Sequence, residues 1–457
     1  MAQKYTRSVA TNMVIANMIG TGIFTSLGFQ VLDNGIPDPF AILMIWVLGG
    51  IVSLCGATVY GEVATRINRS GGEYAFLTDI YHPLLGFVSG WISLFVGFAA
   101  AIASLALATG EYILPALGMS DESTVIGVGI VKLIACIVIA LVAAIQITGV
   151  KSGGMFQNVM TIVKLVLVAV FLLLPFLFWG NYEDSGVSFA PSEKSWDTIF
   201  SVPFAGALVW VMFAYSGWNA SSYIVGNLEN PKRNLPYSLM VGTLIVTVLY
   251  VFLNATFMHV ATFDELALQV DLGNVVANKI LGTKLGLIFS VVFSIALISG
   301  VSAMFIAGPR VVQQIGKDYR LFSILGNENT KGAPVLSIVI IAVVAMAMIF
   351  TVSFSDLIQF IGFTLSVFTL LTVIGVFVLR ARNKSAEGIV KAWAYPISPL
   401  IYVAVTIWMM SYFVIDKPEI LWWFLIAISP AIIIFFVTKA NENKNSSSDT
   451  IDTNPDD

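Results

Sequence analysis

The sequence predicts an all-α membrane protein with twelve transmembrane helices, built as an inverted repeat of five plus five helices in which helices 1 and 6 are broken. Three observations predict it. Of the 457 residues, 58% are hydrophobic and only 11% are charged. The charges gather in short clusters between apolar runs of about twenty residues or more, the length that crosses a bilayer. Glycine and small polar residues interrupt two runs at corresponding positions of the two repeats, which is typical of transporters with inverted repeats.

The composition excludes several classes of protein. A mean hydropathy of +0.89 and the low charge lie outside the range of soluble domains, which are about 25% charged. The net charge of −4 argues against a nucleic-acid partner. Cys55 and Cys136 fall in apolar runs and the two histidines have no metal-ligand spacing, so we expect no disulfide framework, metal or cofactor. The sequence has no phosphate-binding Gly-x-x-x-x-Gly-Lys loop, which disfavours an ATP-driven pump.

Twelve apolar runs define the predicted spans. They lie near residues 10–32, 40–65, 84–116, 124–148, 154–179, 200–227, 236–261, 284–312, 334–352, 356–381, 394–413 and 419–438. We expect four parts of the chain, which are a cytoplasmic N-terminus at 1–9, a ten-helix inverted-repeat core at 10–381, two additional C-terminal helices at 382–438 and a cytoplasmic tail at 439–457. The tail is polar and has little apolar surface to bury, which predicts disorder.

The basic residues predict the orientation. If the N-terminus lies in the cytoplasm, seventeen of the 23 Lys and Arg residues fall on the inner side and four on the outer side. Because cytoplasmic loops of membrane proteins are enriched in Lys and Arg, we expect both termini in the cytoplasm. The outer loops at 180–199 and 262–283 contain mixed apolar and polar residues, which suit either a partial cover over the helices or a simple connection.

Two spans contain residues that interrupt a helix. Residues 19–24 (IGTGIF) place two glycines halfway through the first span, and residues 213–219 (FAYSGWN) place serine and glycine at a similar depth of the sixth. Spans one and six are five apart, as an inverted repeat of five plus five requires. Either cluster alone is more often a packing notch, because small residues let membrane helices approach closely. The pairing of the two clusters favours two broken helices with a binding site between them.

A broken helix offers two kinds of backbone group to a ligand. Amides at the start of one half-helix, here Thr21, Gly22 and Ile23, bind a carboxylate. Carbonyls near Met18 and at 213–216 bind an ammonium, so the pair of breaks suits a zwitterion. The hydroxyls of Thr21 and Ser216 either bind the ligand or cap the interrupted helix.

Four segments in combination resemble the amino acid-polyamine-organocation superfamily, and within it the L-type amino acid transporters and their bacterial relatives. They are the two interrupted segments, residues 70–74 (SGGEY) and residues 230–236 (NPKRNLP). The resemblance covers the first ten spans. It implies the leucine-transporter type of fold with two extra helices, and amino acid exchange or proton-linked uptake. It also implies that Thr21 and Gly22 hold the substrate carboxylate and that Phe213 closes over the ligand, whereas a phenylalanine in a span usually only packs.

Lys164 lies near the middle of the fifth span, where a lysine costs about 2.5–3.5 kcal/mol. In sodium-independent relatives a lysine of this span replaces the sodium ion, and Lys164 matches it. The resemblance implies that its ammonium bridges carbonyls near Gly20 and the hydroxyls of Ser299 or Ser302. Whether it is a permanent staple or loses its proton during the cycle stays open. Tyr250 matches a tyrosine that lines the site in bacterial relatives, although any buried tyrosine beside a polar group would look the same.

The candidate site therefore has two parts. We expect substrate contacts from Met18, Ile19, Gly20, Thr21, Gly22, Ile23, Phe213, Ala214, Ser216 and Tyr250, and a sodium-site surrogate formed by Lys164, Ser299 and Ser302. Neutral substrates are favoured because Ser216 stands where relatives that carry cationic amino acids often have an acidic residue. Small and branched neutral amino acids both remain possible.

Partners and alternatives complete the prediction. Residues 118–123 (GMSDES) lack the cysteine through which mammalian relatives bind a single-span glycoprotein, so a solitary carrier in a bacterial inner membrane is expected. A proton-coupled symporter is the alternative mechanism, and a non-transporting amino acid sensor is the alternative class. Residues Ser70 and Glu73 also have the spacing of a capping box, which predicts a short helix from there to Tyr81.

Overall fold

The structure is a computed structural model that describes residues 4–31, 35–114, 119, 124–125, 128–180, 182–199, 201–269, 271–350, 354–382 and 390–449, without the side chains of 125, 354–359 and 443–449. Most of the described chain is helical. In chain order the α-helices are α1 Arg7–Met18, α2 Thr21–Gln30, α3 Pro39–Ile67, α4 Glu73–Ile80, α5 Pro83–Ile92, α6 Ala101–Ile113, α7 Ile130–Ile147, α8 Val150–Leu177, α9 Glu193–Ile199, α10 Val202–Tyr215, α11 Pro231–Val260, α12 Phe263–Leu266, α13 Leu272–Asp318, α14 Val335–Ile349, α15 Phe354–Arg382, α16 Ile397–Asp416 and α17 Glu419–Asp449.

Shorter elements join these helices. A π-helical segment, Ser93–Ala100, connects α5 to α6, and 3₁₀ segments cover Ala220–Asn227 and Arg320–Gly326. The strands β1, Thr124–Val125, and β2, Val128–Gly129, form an antiparallel hairpin in which Thr124 is opposite Gly129. The fourth apolar helix therefore begins at Ile130, six residues later than the sequence predicts.

Both predicted helix breaks are present. α1 ends at Met18 and α2 begins at Thr21, with Gly20 in an extended conformation between them. α10 ends at Tyr215, and the chain continues through Gly217, whose φ of +95° favours glycine because it lacks a Cβ. The predicted interruptions of the first and sixth spans are thus confirmed.

Ten helices or continuous helix pairs are long and apolar enough to cross a membrane, and the bent pair Glu193–Ile199 with Val202–Asn227 would make eleven in the described part of the chain. α14 is apolar but has only 15 residues. The result is a helical membrane protein, and the count of twelve spans in a five-plus-five arrangement stays a prediction.

The broken helices lie in the interior of the bundle. The apolar part of Arg7–Gln30 is 83% buried, whereas that of Glu419–Glu442 is 17% buried. α1 packs against α11, α8 and α13, while α2 packs against α10. The first span is therefore shielded by other helices, and α17 lies at the periphery.

Two local expectations differ from the structure. Glu73 begins α4, but no side chain caps this helix, and Ser70 Oγ instead accepts a hydrogen bond from Gly226 N at 2.9 Å. The capping-box prediction is wrong because the Glu73 carboxylate accepts hydrogen bonds from Tyr60 of α3 and from Asn219 in the turn after α10. In addition, α17 continues to Asp449, past residue 439 where the sequence predicts a disordered tail. Residues 450–457 and most of the loop 118–123 lie outside the described residues.

Candidate functional site

A cavity lies between the two helix breaks. Seven of the predicted substrate-binding residues line it, namely Met18, Gly20, Thr21, Gly22, Phe213, Ala214 and Ser216. The π-helical segment forms part of another wall through Ser93, Gly97 and Phe98. Such segments are rare and occur frequently at functional sites. The fold thus brings together residues about 200 positions apart.

The start of α2 presents backbone amides to this cavity. Its N-terminal cap is Gly20, and no side chain accepts a hydrogen bond from the first amides of the helix. The first N–H groups of an α-helix have no partner within the helix, and they lie at the positive end of its dipole. The amides of Thr21, Gly22 and Ile23 therefore lie at a helix end where negative charge is favoured, although the Ile23 side chain itself is buried away from the cavity.

Tyr250 joins the two breaks from behind the cavity. Its hydroxyl lies within hydrogen-bonding distance of the Met18 carbonyl and, at 2.9 Å, of the Ala214 carbonyl. Its ring is fully buried, and Tyr250 is not among the described residues that line the cavity. Each carbonyl retains a second lone pair, so either can still receive an ammonium. The structure thus gives Tyr250 a bracing position instead of the lining position that the sequence suggests.

Lys164 also binds the end of the first half-helix. Its ammonium donates hydrogen bonds to the carbonyls of Ala16, at 3.3 Å, and Ile19. The side chain is 1% exposed, so it does not face lipid. A cation at a helix C-terminus is favourable because the last carbonyls carry partial negative charge. The predicted contact with the break is present, and Ile19 contributes through its carbonyl behind the cavity.

The two serines predicted to share Lys164 have other partners. Ser299 Oγ donates to the Ala296 carbonyl at 2.8 Å. Ser302 Oγ accepts a hydrogen bond from Gln146 Nε2 at 2.9 Å. Within the described residues, the hydrogen bonds of Lys164 go to the two carbonyls of α1 and its end. The expected bridge from Lys164 to a serine hydroxyl is therefore wrong for this conformation.

The gate candidate Phe213 lies where the two broken helices touch. It lines the cavity, and a Cβ on Gly22 would lie 3.3 Å from its Cδ1. The same Cβ would lie 2.8 Å from the Cα of Ala214. Close contact between α2 and α10 thus depends on the missing side chain of Gly22.

Sequence reasoning missed Glu73 as a residue of the cavity. Its carboxylate Oε1 accepts hydrogen bonds from Tyr60 Oη, at 2.7 Å, and Asn219 Nδ2. Glu73 and Asn219 both line the cavity. Glu73 lies between two predicted spans. In the sequence, only its place in residues 70–74, one of the segments that carry the family resemblance, marks it as a candidate.

Comparison with known proteins agrees with this geometry. A family model described as amino acid permease matches residues 7–438. The chain belongs to the amino acid permease family. The b(0,+)-type amino acid transporter 1 of Mus musculus is 27% identical over 93% of this chain and 85% of its own. The serine/threonine exchanger SteT of Bacillus subtilis (strain 168) is 27% identical over 86% of this chain and 87% of its own.

A third similar protein is the cystine/glutamate transporter of Homo sapiens, 26% identical over 84% of this chain and 75% of its own. The family and these relatives are membrane transporters. The chain is accordingly an amino acid permease and not an enzyme, which confirms the resemblance found in the sequence.

Proposed function

We propose that this permease is a sodium-independent exchanger of neutral L-amino acids that works by alternating access. The proposal includes the leucine-transporter type of arrangement, with twelve spans, a five-plus-five inverted repeat and both termini in the cytoplasm of a bacterial cell. The observation that carries it is the cavity between the breaks, which Thr21 and Gly22 line on one side and Ser216 on the other.

Recognition of a zwitterion follows from the backbone. The uncapped amides of α2 bind the carboxylate, and the carbonyls at the end of α1 and α10 bind the ammonium. Because these are main-chain groups, they recognise the part that all α-amino acids share. Phe213 then closes over the bound substrate, and the side-chain pocket lies towards α6 and the π-helical segment.

Sodium independence is supported by the position of Lys164. Its ammonium donates hydrogen bonds to the carbonyls of Ala16 and Ile19. A cationic group of the protein therefore lies where a sodium-coupled carrier would need the ion. We propose that it serves as the surrogate for a sodium ion through these two carbonyls alone. With the lysine side chain at these carbonyls no sodium ion is needed there, which favours exchange over sodium-driven uptake.

Exchange is further supported by the relatives, one of which is named a serine/threonine exchanger. Because that name describes a different protein, we transfer only the class of mechanism, and small and branched neutral amino acids both stay candidate substrates. Proton-coupled symport is the second candidate, since Lys164 is an ionisable group at the break.

The test is uptake of radiolabelled serine, alanine and leucine into proteoliposomes of the purified chain. We expect uptake only when the vesicles contain internal amino acid, with no change when sodium is replaced by choline. Uptake into empty vesicles driven by an inward proton gradient would instead establish symport. Binding of amino acids without flux under any condition would indicate a sensor.

A further inference from the structure

We propose that a groove beside α1 and α11 binds an anionic phospholipid, with the phosphate at its basic end and an acyl chain at its apolar end. This groove, called the α1–α11 groove below, has a volume of about 700 Å³. It shares no lining residue with the cavity between the helix breaks. The inference goes beyond the proposed function, because it concerns a lipid of the bilayer and not the transported amino acid.

Two arginines form the basic end of the groove. Arg7 is the first residue of α1, and Arg233 lies in the first turn of α11. Both line the groove and are exposed, and neither guanidinium has an ion-pair or hydrogen-bond partner in the described part of the chain. A guanidinium donates two parallel hydrogen bonds to phosphate oxygens. Two arginines without a carboxylate partner therefore favour a phosphate group as the ligand.

Tyr237 brings the two arginines to the same end of the groove. Cζ of Arg7 lies over the Tyr237 ring, 4.6 Å from its centroid, which is a cation–π contact. Tyr237 follows Arg233 by four residues in α11, so the two side chains are neighbours on one face of that helix. A cation–π contact uses no hydrogen-bond donor, and the N–H groups of Arg7 stay available for a ligand.

The remaining polar residues at this end match a glycerol head group. Ser8 and Asn230 line the groove and carry hydrogen-bond donors that suit phosphate oxygens. Glu229 also lines it, so the two arginines leave the lining with a net positive charge. An ionised carboxylate only accepts hydrogen bonds, and the hydroxyl groups of phosphatidylglycerol supply donors for it. This lipid therefore fits both the net charge and the single acidic group.

The other end of the groove is apolar. Its side chains are aliphatic and come from three helices, namely Ile15 of α1, Leu165 of α8, and Val241 and Ile245 of α11. α1 packs against both α8 and α11. Farther along the two outer helices, Ile162 of α8 and Leu244 of α11 are exposed, and exposed apolar residues of a membrane helix face lipid. An acyl chain in the groove would therefore continue into the bilayer, which a soluble phosphate compound cannot do.

The basic end lies at the level of a lipid head group. Arg7 and Arg233 are both at the N-terminal ends of their helices, which the proposed orientation puts at the cytoplasmic face. The positive ends of both helix dipoles point to this place. Basic pockets between membrane helices on this side suit anionic head groups. A phosphate bound to both arginines would join the first half-helix, α1, to α11.

The test measures lipid binding to the purified, delipidated chain by native mass spectrometry. The probes are dioleoyl-phosphatidylglycerol, dioleoyl-phosphatidylethanolamine and dioleoyl-phosphatidylcholine, which share their acyl chains and differ in the head group. We expect phosphatidylglycerol to bind at least about fivefold more tightly than phosphatidylcholine, because only the former is attracted by the net positive charge. Glycerophosphoglycerol, the same head group without acyl chains, should compete at least about tenfold more weakly than the intact lipid, because it leaves the apolar end empty.

The double variant Arg7→Gln, Arg233→Gln should lose the preference for phosphatidylglycerol. The matched control, Lys151→Gln with Lys331→Gln, removes two charges on the same predicted side but outside the groove lining, and it should keep the preference. Equal binding of phosphatidylglycerol and phosphatidylcholine to the wild type would overturn the inference, as would a preference that survives without the two arginines. Tighter binding of phosphatidylethanolamine would also overturn it, since an ammonium at Glu229 would then decide. Equal competition by glycerophosphoglycerol would make the ligand a soluble anion.

A measurement on the wild-type chain alone guards against a misfolded variant. Phosphatidylglycerol should raise the thermal unfolding temperature in detergent more than phosphatidylcholine does at equal concentration, because a ligand that binds only the folded chain stabilises it. No difference between the two lipids would contradict the inference. None of these measurements requires amino acid exchange, so failure of the proposed function and failure of the lipid site are distinguishable.

Discussion

At the scale of single residues, two glycines set how closely the broken helices approach each other. A Cβ on Gly217 would lie 2.8 Å from the Cβ of Asn17, and one on Gly22 would lie 2.8 Å from the Cα of Ala214. Both distances are shorter than van der Waals contact, and one involves backbone that cannot rotate away. The close approach of the two breaks therefore depends on the missing side chains of both glycines.

Gly22→Ala should reduce serine exchange at least about tenfold. The added methyl group must push α10 away from α2, and overpacking of this kind costs about 1–3 kcal/mol. Initial exchange rates in proteoliposomes check this outcome. The matched control is Gly206→Ala in α10, where an added Cβ meets nothing within 4 Å. Wild-type rates in Gly22→Ala would contradict the close contact of the two helices.

At the scale of elements, the loops predicted to lie outside are attached to α2, which lines the cavity, and to the residue before α3. Leu268 N donates to the carbonyl of Gly28 in α2 at 3.0 Å, and Ser195 Oγ donates to Asp38 Oδ2 before α3 at 2.7 Å. Farther along the first of these loops, Lys279 Nζ contacts both carboxylate oxygens of Glu265, at 2.9 and 2.6 Å. This ion pair joins α12 to the first turns of α13.

The Lys279 ammonium, followed by the backbone N–H of Thr262, lowers the pKa of the Glu265 carboxyl. Ionised Glu265 therefore stabilises the folded loop at neutral pH, and this contribution is lost as the pH falls through the lowered pKa. Glu265→Gln should destabilise the loop by less than about 1 kcal/mol, because the pair is partly exposed. Hydrogen exchange of the amides at 262–266 should show faster exchange in the variant at neutral pH.

The difference from wild type should disappear well below the ordinary glutamate pKa of about 4.3. Asp264→Asn on the same short helix is the control, because within the described residues the Lys279 ion pair is with Glu265. A difference between wild type and Glu265→Gln that is constant across the whole pH range would rule out the ion pair as its cause.

At the scale of the whole molecule, the distribution of charge predicts which side of the bilayer each loop faces. Arg310 pairs with Glu328 at 2.9 Å and Arg69 pairs with Asp318, so two of the basic residues predicted to lie inside are held in ion pairs near the C-terminal end of α13. Lys331 and Lys194 are both exposed, and the orientation proposed here puts them on opposite sides.

This orientation predicts the outcome of cysteine labelling. In a Cys55→Ala, Cys136→Ala background, a membrane-impermeant maleimide should label Lys194→Cys in intact cells. Lys331→Cys should be labelled only after the cells are permeabilised. The unsubstituted background is the control for non-specific labelling, and the reverse pattern would invert the topology.

The sequence by itself determined the class of the protein, the approximate positions of its helices and both breaks. These features are local, because hydropathy over about twenty residues decides whether a segment enters the bilayer, and glycine weakens a helix wherever it occurs. Lys164 was also predictable in part, since a lysine inside an apolar run requires polar partners. Its carbonyl partners at the first break followed from the family resemblance.

Only the tertiary structure decided which polar groups meet. Tyr250 braces the two breaks from behind, Ser302 binds Gln146 instead of Lys164, and Glu73 enters the cavity instead of capping its own helix. Each of these outcomes depends on contacts between segments that are far apart in the chain, or on a backbone turn such as that at Gly72, whose φ is +56°. The conformational preferences of single residues do not predict these contacts, because the contacts form only when the helices pack together.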